Sequence, residues 1–154
     1  MLTNSYKASI LVIDDKKWVL KIITFGSCHL EMGSFADAKF VPEVKSVGEL
    51  ENIYRVQHYL LEHLDAHHSL LELAHLAHTN RNKLNRLFQA LFGMSVFDWL
   101  REQRLQKATE LLHTTSLQIQ EIGRSVGYAN QAHFTTQFKQ RFQVAPRQYR
   151  NNVY

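Results

Sequence analysis

The last two-thirds of this 154-residue chain repeats itself, and that constrains the fold more than any other feature. Shifting the sequence by fifty positions puts Asn80 on Asn130, Leu84 on Phe134, Phe88 on Phe138, Phe92 on Phe142 and Trp99 on Tyr149. Upstream of the two asparagines the match needs a shift of forty-nine, which sets Glu72, Leu73 and Ala74 on Glu121, Ile122 and Gly123, so the second copy has a turn one residue longer. The matched apolar positions recur at intervals of three and four, the period of one face of a helix. The chain is therefore expected to fold as two copies of one helix–turn–helix design.

Local signals place the helices. Ile53, Val56, Leu60 and Leu64 line one face of a first helix beginning near Glu49. Ser69 followed by Glu72 is a capping-box pattern, which satisfies free backbone N–H groups at a helix start and implies a short helix from about Leu70 to Ala77. Asn80 can cap the next helix, where Leu84, Leu87, Phe88 and Leu91 form an apolar stripe opposite Asn82, Asn85, Arg86 and Gln89. Gly93 ends it. Val96, Phe97, Leu100, Ala108, Leu111 and Leu112 then mark a longer helix to about His113, roughly 27 Å long.

The first 48 residues follow another pattern. Ser9–Ile13 and Trp18–Phe25 are rich in β-branched and aromatic residues and flank Asp14, Asp15, Lys16 and Lys17, which predicts a β-hairpin. The stretch from Phe35 to Gly48 has no clean period and contains Pro42, so it is read as a linker. The expected division is a small β-rich segment and linker over 1–48 and a helical domain over 49–154. Within that domain the first helix-turn-helix is expected over about 69–92, the joining helix over about 96–113 and the second helix-turn-helix over about 117–142.

Charge is distributed along the same division. Residues 1–50 hold six basic and six acidic side chains, whereas residues 51–154 hold twelve and eight, so the whole formal excess of +4 lies in the helical region. That is compatible with binding a polyanion. A single cysteine, Cys28, has no intrachain partner and no CxxC companion, consistent with a reducing compartment. No apolar run approaches the roughly 20 residues a membrane helix needs, and the N-terminus lacks a signal-peptide layout. A cytoplasmic protein with no membrane contact is expected.

A second helix with one apolar and one amide-rich face is what a helix-turn-helix needs in order to present polar side chains to a DNA groove. The residues go further. SLLELAHLAHTNRNKLNRLFQALFGMSVFDWLREQRLQKATELL from Ser69 and LQIQEIGRSVGYANQAHFTTQFKQRFQVAPRQYR from Leu117 strongly resemble the DNA-binding domain of the AraC/XylS family of bacterial transcription regulators, over about residues 50–150. Gly127, Phe134, Phe138, Phe142 and Pro146 fall in what looks like that family's signature. The resemblance implies a mainly α, seven-helix fold with two helix-turn-helix subdomains joined by a long linker helix, here preceded by the small hairpin. It also implies sequence-specific binding of double-stranded DNA, activation, and RNA polymerase as a further candidate partner.

By position, the resemblance assigns base reading to Arg81, Asn82, Asn85 and Arg86 in the first copy and to Gln131, Ala132, His133, Thr135 and Thr136 in the second. The chemistry agrees: Arg bonds guanine bidentately, Asn and Gln bond adenine, and Ala or Thr methyls touch thymine. Lys83, Lys139 and Arg147 are placed for phosphate. No cofactor is needed for that act. Departures from the family pattern are His78, where the first turn usually has glycine, and Gln143, where glycine is often found. Ligand-sensing members usually carry a far larger N-terminal domain than fifty residues allow, so a short or truncated N-terminal region is expected.

Competing readings of the same residues are weaker. The aromatic residues Phe88, Trp99, Phe134, Phe138, Phe142 and Tyr149 have helical spacing among aliphatic neighbours, which favours core packing over a stacking platform for single strands. Nine histidines include the pairs His63/His67 and His75/His78, but no HExxH motif or Cys/His quartet accompanies them, so solvated helix-surface histidines are expected rather than a metal site. Cys28 and His29 are adjacent in a predicted strand and would point to opposite faces. ILVIDD, Ile10 to Asp15, resembles the first strand of a phosphorelay receiver, yet the space is too short for one, and a polar hairpin turn is the better account. No paired acid–base constellation or phosphate loop suggests an enzyme. The alternative function is an interaction protein that pairs with a full-length regulator, forming a homo- or hetero-oligomer through its N-terminal strands, since open strand edges recruit partners.

Overall fold

The computed structural model describes residues 8–14, 17–24, 27–29 and 46–151. The chain divides into two compact units, residues 1–52 and 53–154. In the first, strands β1 (Ala8–Asp14), β2 (Lys17–Thr24) and β3 (Ser27–His29) form an antiparallel sheet in the order β1-β2-β3. The β1–β2 register runs from Ala8 opposite Ile23 to Asp14 opposite Lys17. Asp15 and Lys16 lie outside the described residues, as do Phe25 and residues 30–45. The segment whose edges were expected to recruit a partner is thus the central strand, hydrogen-bonded on both sides, and a pairing strand would have to add at β1 or β3.

Among the described residues seven helices follow. α1 spans Val47–Glu62, and its first turn is capped by Ser46, whose Oγ accepts the Glu49 N–H at 3.2 Å. The helix therefore starts two residues before the expected Glu49, and Gly48, read as part of the linker, lies inside its first turn. The cap overrides the weak helix propensity of glycine there.

The helix-turn-helix units are α2 (Leu70–Leu76) with α3 (Arg81–Phe92), and α5 (Ile119–Ser125) with α6 (Gln131–Phe142). Between them α4 (Val96–Thr114) runs 19 residues, about 28 Å at helical rise. α7 (Pro146–Asn151) is the last described element. The Ser69–Glu72 capping box forms with both bonds, 3.1 and 3.2 Å, and Asn80 and Asn130 cap α3 and α6 by accepting N–H groups from Lys83 and from Ala132 and His133.

The two copies pack the same skeleton with different volumes. In the second, Leu105, Ala108, Leu112, Ile122, Val126, Tyr128, Phe134 and Phe138 form one buried cluster, with Phe142 and Tyr149 packed against it. Phe134 stands where the first copy has the smaller Leu84, and Gly123 stands where it has Ala74. A Cβ on Gly123 would lie 3.2 Å from the Phe134 ring, so the larger residue is accommodated by the smaller neighbour. The aromatic residues named in the repeat face inward: Phe88 meets Phe92 and Trp99, and Phe138 meets Phe134, Phe142 and Tyr149.

Among the described residues four positions take positive φ, and the repeat pairs them. His78 (φ 50°) and Gly127 (φ 88°) occupy the two turns, while Gly93 (φ 76°) and Gln143 (φ 65°) cap α3 and α6. Each pair has one glycine and one side-chain-bearing residue in the same left-handed conformation. His78 and Gln143 depart from the family's glycines in identity while keeping the backbone the glycines would adopt. Gln143 offsets part of the strain by donating from Nε2 to the Gln140 carbonyl at 2.9 Å.

Candidate nucleic-acid interface

The outer faces of α3 and α6 are what remains after each helix has buried Leu84, Leu87 and Phe88, or Phe134 and Phe138. On α3 this leaves Arg81, Asn82 and Arg86 exposed at the start and middle of the helix, with Lys83 half-buried. On α6 it leaves Gln131, Ala132, His133, Thr136 and Lys139 exposed, with Thr135 half-buried. Exposed residues therefore stand at matched places in the two copies: Arg81 with Gln131, Asn82 with Ala132, and Arg86 with Thr136. The His133 ring leans edge-on against Tyr128, centroids 5.5 Å apart, which restricts where its nitrogens can point.

Asn85, assigned to base reading by the resemblance, also has a partner within the fold. It is half-buried, and its Oδ1 accepts the N–H of Val96, the first residue of α4, at 3.2 Å. Bidentate reading of adenine needs the amide oxygen and nitrogen together, and here one of the oxygen's two lone pairs serves the linker helix. Gln89, predicted on the same polar face, also turns back, donating from Nε2 to the Gly93 carbonyl at 2.7 Å. In the second copy the matching position is Thr135, and the residue matching Val96 is Pro146, which has no N–H to satisfy. Thr135 instead lines an open cleft with Gln118, Ile119, Gln131, Pro146 and Arg147.

Arg147 lies on the first turn of α7 and is exposed beside that cleft. Its neighbour Arg150 is bound into the fold, donating to the carbonyls of Leu112 (3.3 Å) and Leu117 (2.7 Å). Arg141 is likewise committed: its Nε and Nη2 reach the Glu102 carboxylate at 2.7 and 2.8 Å. Hydrogen bonding from Arg141 holds the Glu102 carboxyl below the usual carboxylate range. Arg81 and Arg86 on α3, Lys139 on α6 and Arg147 on α7 are thus exposed, a distribution of cations suited to a polyanion.

Gln118 was missing from the sequence-based site. Its place by the cleft follows from the packing of α5 against α6, which no local pattern encodes. The histidines singled out by spacing do not converge: His63 Nδ1 donates to the Tyr59 carbonyl at 2.8 Å and stacks on the Tyr59 ring. His68, not singled out, is buried with Nε2 donating to the His63 carbonyl at 2.7 Å. Among the described residues no group of three or more His, Cys, Asp or Glu is arranged to hold a metal ion, and no helix is long and apolar enough to cross a membrane.

Comparison with known proteins agrees with this geometry. A helix-turn-helix domain family matches residues 73–152. The arabinose operon regulatory protein of Salmonella typhimurium is 33% identical over 93 residues, covering 60% of this chain and 33% of that protein. The chain thus spans about a third of the length of the curated relative it matches. Among solved structures, the C-terminal domain of AraT, a response regulator from Geobacillus stearothermophilus, is 34% identical with a TM-score of 0.62, covering 65% of this chain and 84% of that one. The DNA-binding domain of AdpA, a global transcriptional factor solved in complex with a target DNA, is 27% identical with a TM-score of 0.63, covering 66% and 91%. The chain belongs to the AraC/XylS family of bacterial DNA-binding transcription regulators.

Proposed function

We propose that the chain reads duplex DNA sequence-specifically by placing α3 and α6 in successive major grooves. The supporting observation is that exposed polar residues recur at matched places on two helices of one repeated scaffold, while the apolar residues between them are buried. Arg81, Asn82 and Arg86 read bases in the first groove, and Gln131, Ala132, His133, Thr135 and Thr136 in the second. Lys83, Lys139 and Arg147 engage phosphates and set register without reading sequence. Asn85 serves the fold with one lone pair of its oxygen and keeps the other, with its amide nitrogen, for a base.

On this reading the DNA-binding part runs from about residue 49 to the C-terminus, needs no cofactor and acts in the cytoplasm. Activation through RNA polymerase is the mode the family resemblance supports. The test is selection of the purified chain on a randomised duplex library at near-physiological salt, because salt governs the phosphate contribution. Two enriched blocks about one helical turn, roughly 34 Å, apart are expected. Retention without enrichment refutes base reading. Transcription in vitro from a promoter carrying the enriched site tests activation, and repression there refutes it.

A further inference from the structure

Two reading helices on one chain discriminate spacing only if the part between them is stiff. Adjacent base pairs are about 3.4 Å apart and rotated by roughly 35° about the axis, so a one-pair change in separation moves the second site in both distance and phase. A loose joint would follow that change and a rigid one would not. Each copy has its own buried residues around α4, so the orientation between copies depends on what else grips that helix.

Two polar attachments do so. Arg104, half-buried on α4, donates from Nε to the Leu64 carbonyl and from Nη2 to the Ala66 carbonyl, both at 2.7 Å. Those carbonyls follow α1 and precede α2, on the side of the first copy. The turn of the second copy presses on the same point: a Cβ on Gly127 would lie 2.5 Å from the Leu64 oxygen and 2.7 Å from Arg104 Cζ. Three parts of the domain meet there: the approach to α2, the linker helix and the turn before α6. A forked, charge-assisted pair of bonds fixes direction as well as distance. Two residues earlier on α4, Glu102 holds Arg141 in the last turn of α6 through the bidentate pair already described.

We propose that Arg104, seated against Gly127, and the Glu102–Arg141 pair are positioning residues that fix the distance and phase between the two reading helices, and so determine which half-site separation the chain accepts. The inference rests on the two-groove reading above. It adds a component of specificity carried by residues that touch no base.

The test separates the two ideas by measuring orientation without DNA and spacing with it. In a Cys28→Ser background, spin labels at His75→Cys on α2 and Arg124→Cys on α5 report the separation of the copies by pulsed electron–electron resonance. A single narrow distance distribution is expected for the parent. Arg104→Met and Glu102→Gln should each broaden it with helical content by circular dichroism unchanged, and the swap Glu102→Arg with Arg141→Glu should narrow it again. On the enriched duplex and on versions lengthened or shortened by one base pair between blocks, the parent should prefer the selected spacing by roughly tenfold or more, and the two single variants by much less. Distributions that stay equally narrow in all variants overturn the positioning role whatever the DNA result. Broadening accompanied by an unchanged spacing preference also overturns it. Failure to enrich any duplex, with broadening seen, refutes the two-groove reading and leaves the mechanical role of these residues standing.

Discussion

Replacing Gly127 by Ala should cost far more than replacing Gly93 by Ala, although both glycines have positive φ, 88° and 76°. At Gly93 a Cβ meets nothing within 4 Å, so the cost is the left-handed conformation alone, about 1–2 kcal/mol, less the few tenths or more recovered by restricting the unfolded chain. At Gly127 the same conformational cost applies, and the new Cβ would also lie 2.5 Å from the Leu64 carbonyl oxygen. That oxygen cannot retreat freely, because Arg104 Nε holds it at 2.7 Å, and Arg104 itself lies 2.7 Å from the Cβ position. Either the backbone shifts, an overpacking cost of about 1–3 kcal/mol, or the charge-assisted bond is given up at about 1.5–3 kcal/mol. The total for Gly127→Ala is about 1–5 kcal/mol, about 1–3 kcal/mol above that for Gly93→Ala and a sizeable part of the roughly 5–15 kcal/mol that stabilises a domain. Urea unfolding followed by circular dichroism gives both values, with equal slopes required for the comparison. Equal losses for the two substitutions would refute the close approach and leave only the torsional requirement.

The converse substitutions should stabilise. His78→Gly is expected to gain up to about 1 kcal/mol by relieving its left-handed backbone, and Gln143→Gly less, because its side-chain bond to Gln140 is lost; urea midpoints check both. Phe138→Ala, which empties the centre of the second cluster, should cost about 3–5 kcal/mol in the same assay. Arg86→Ala should weaken binding by about 1–3 kcal/mol and relax one base preference, whereas Lys139→Ala should weaken all duplexes alike and flatten the salt dependence, as titrations at several salt concentrations would show. Hydrogen bonds from Ser69, Ser95 and Arg141 hold the carboxyls of Glu72, Asp98 and Glu102 below their ordinary values. A depressed folded-state value means stabilisation present above the unfolded value and lost as pH falls through the folded one. Thermal midpoints should therefore be insensitive to these three groups above about pH 5 and should fall below about pH 4.

The sequence revealed most where the physics is local. The Ser69–Glu72 box and the caps at Asn80 and Asn130 involve residues two or three apart, and the inward-facing phenylalanines follow from helical period. The hydrogen bond of Asn85 to the linker helix was not legible for the opposite reason. The partner Val96 is eleven residues away across a bend, and an Asn on a polar stripe looks the same whether it faces a base or a backbone N–H. Arg104 and Arg141 were invisible as positioning groups because their partners lie 38 to 40 residues away, a separation that neither period nor capping pattern encodes. The start of α1 was missed by two residues because Gly48 was weighed as a breaker without the cap at Ser46.

The proline at the start of α7 has a consequence for how the two copies can change. In the first copy α3 lends Asn85 to the Val96 N–H, so exchanging that residue also removes the partner of the first N–H of the linker helix, whose N-cap Ser95 is untouched. In the second copy Pro146 removes the obligation, and Thr135 faces a cleft with no such duty to the following helix. On the two-groove reading, altered operators would therefore be accommodated more cheaply by the second copy. Over many generations of promoter drift, the half-site under α6 would on that reading be the one free to wander, while the half-site under α3 would be held by the stability of the fold that reads it.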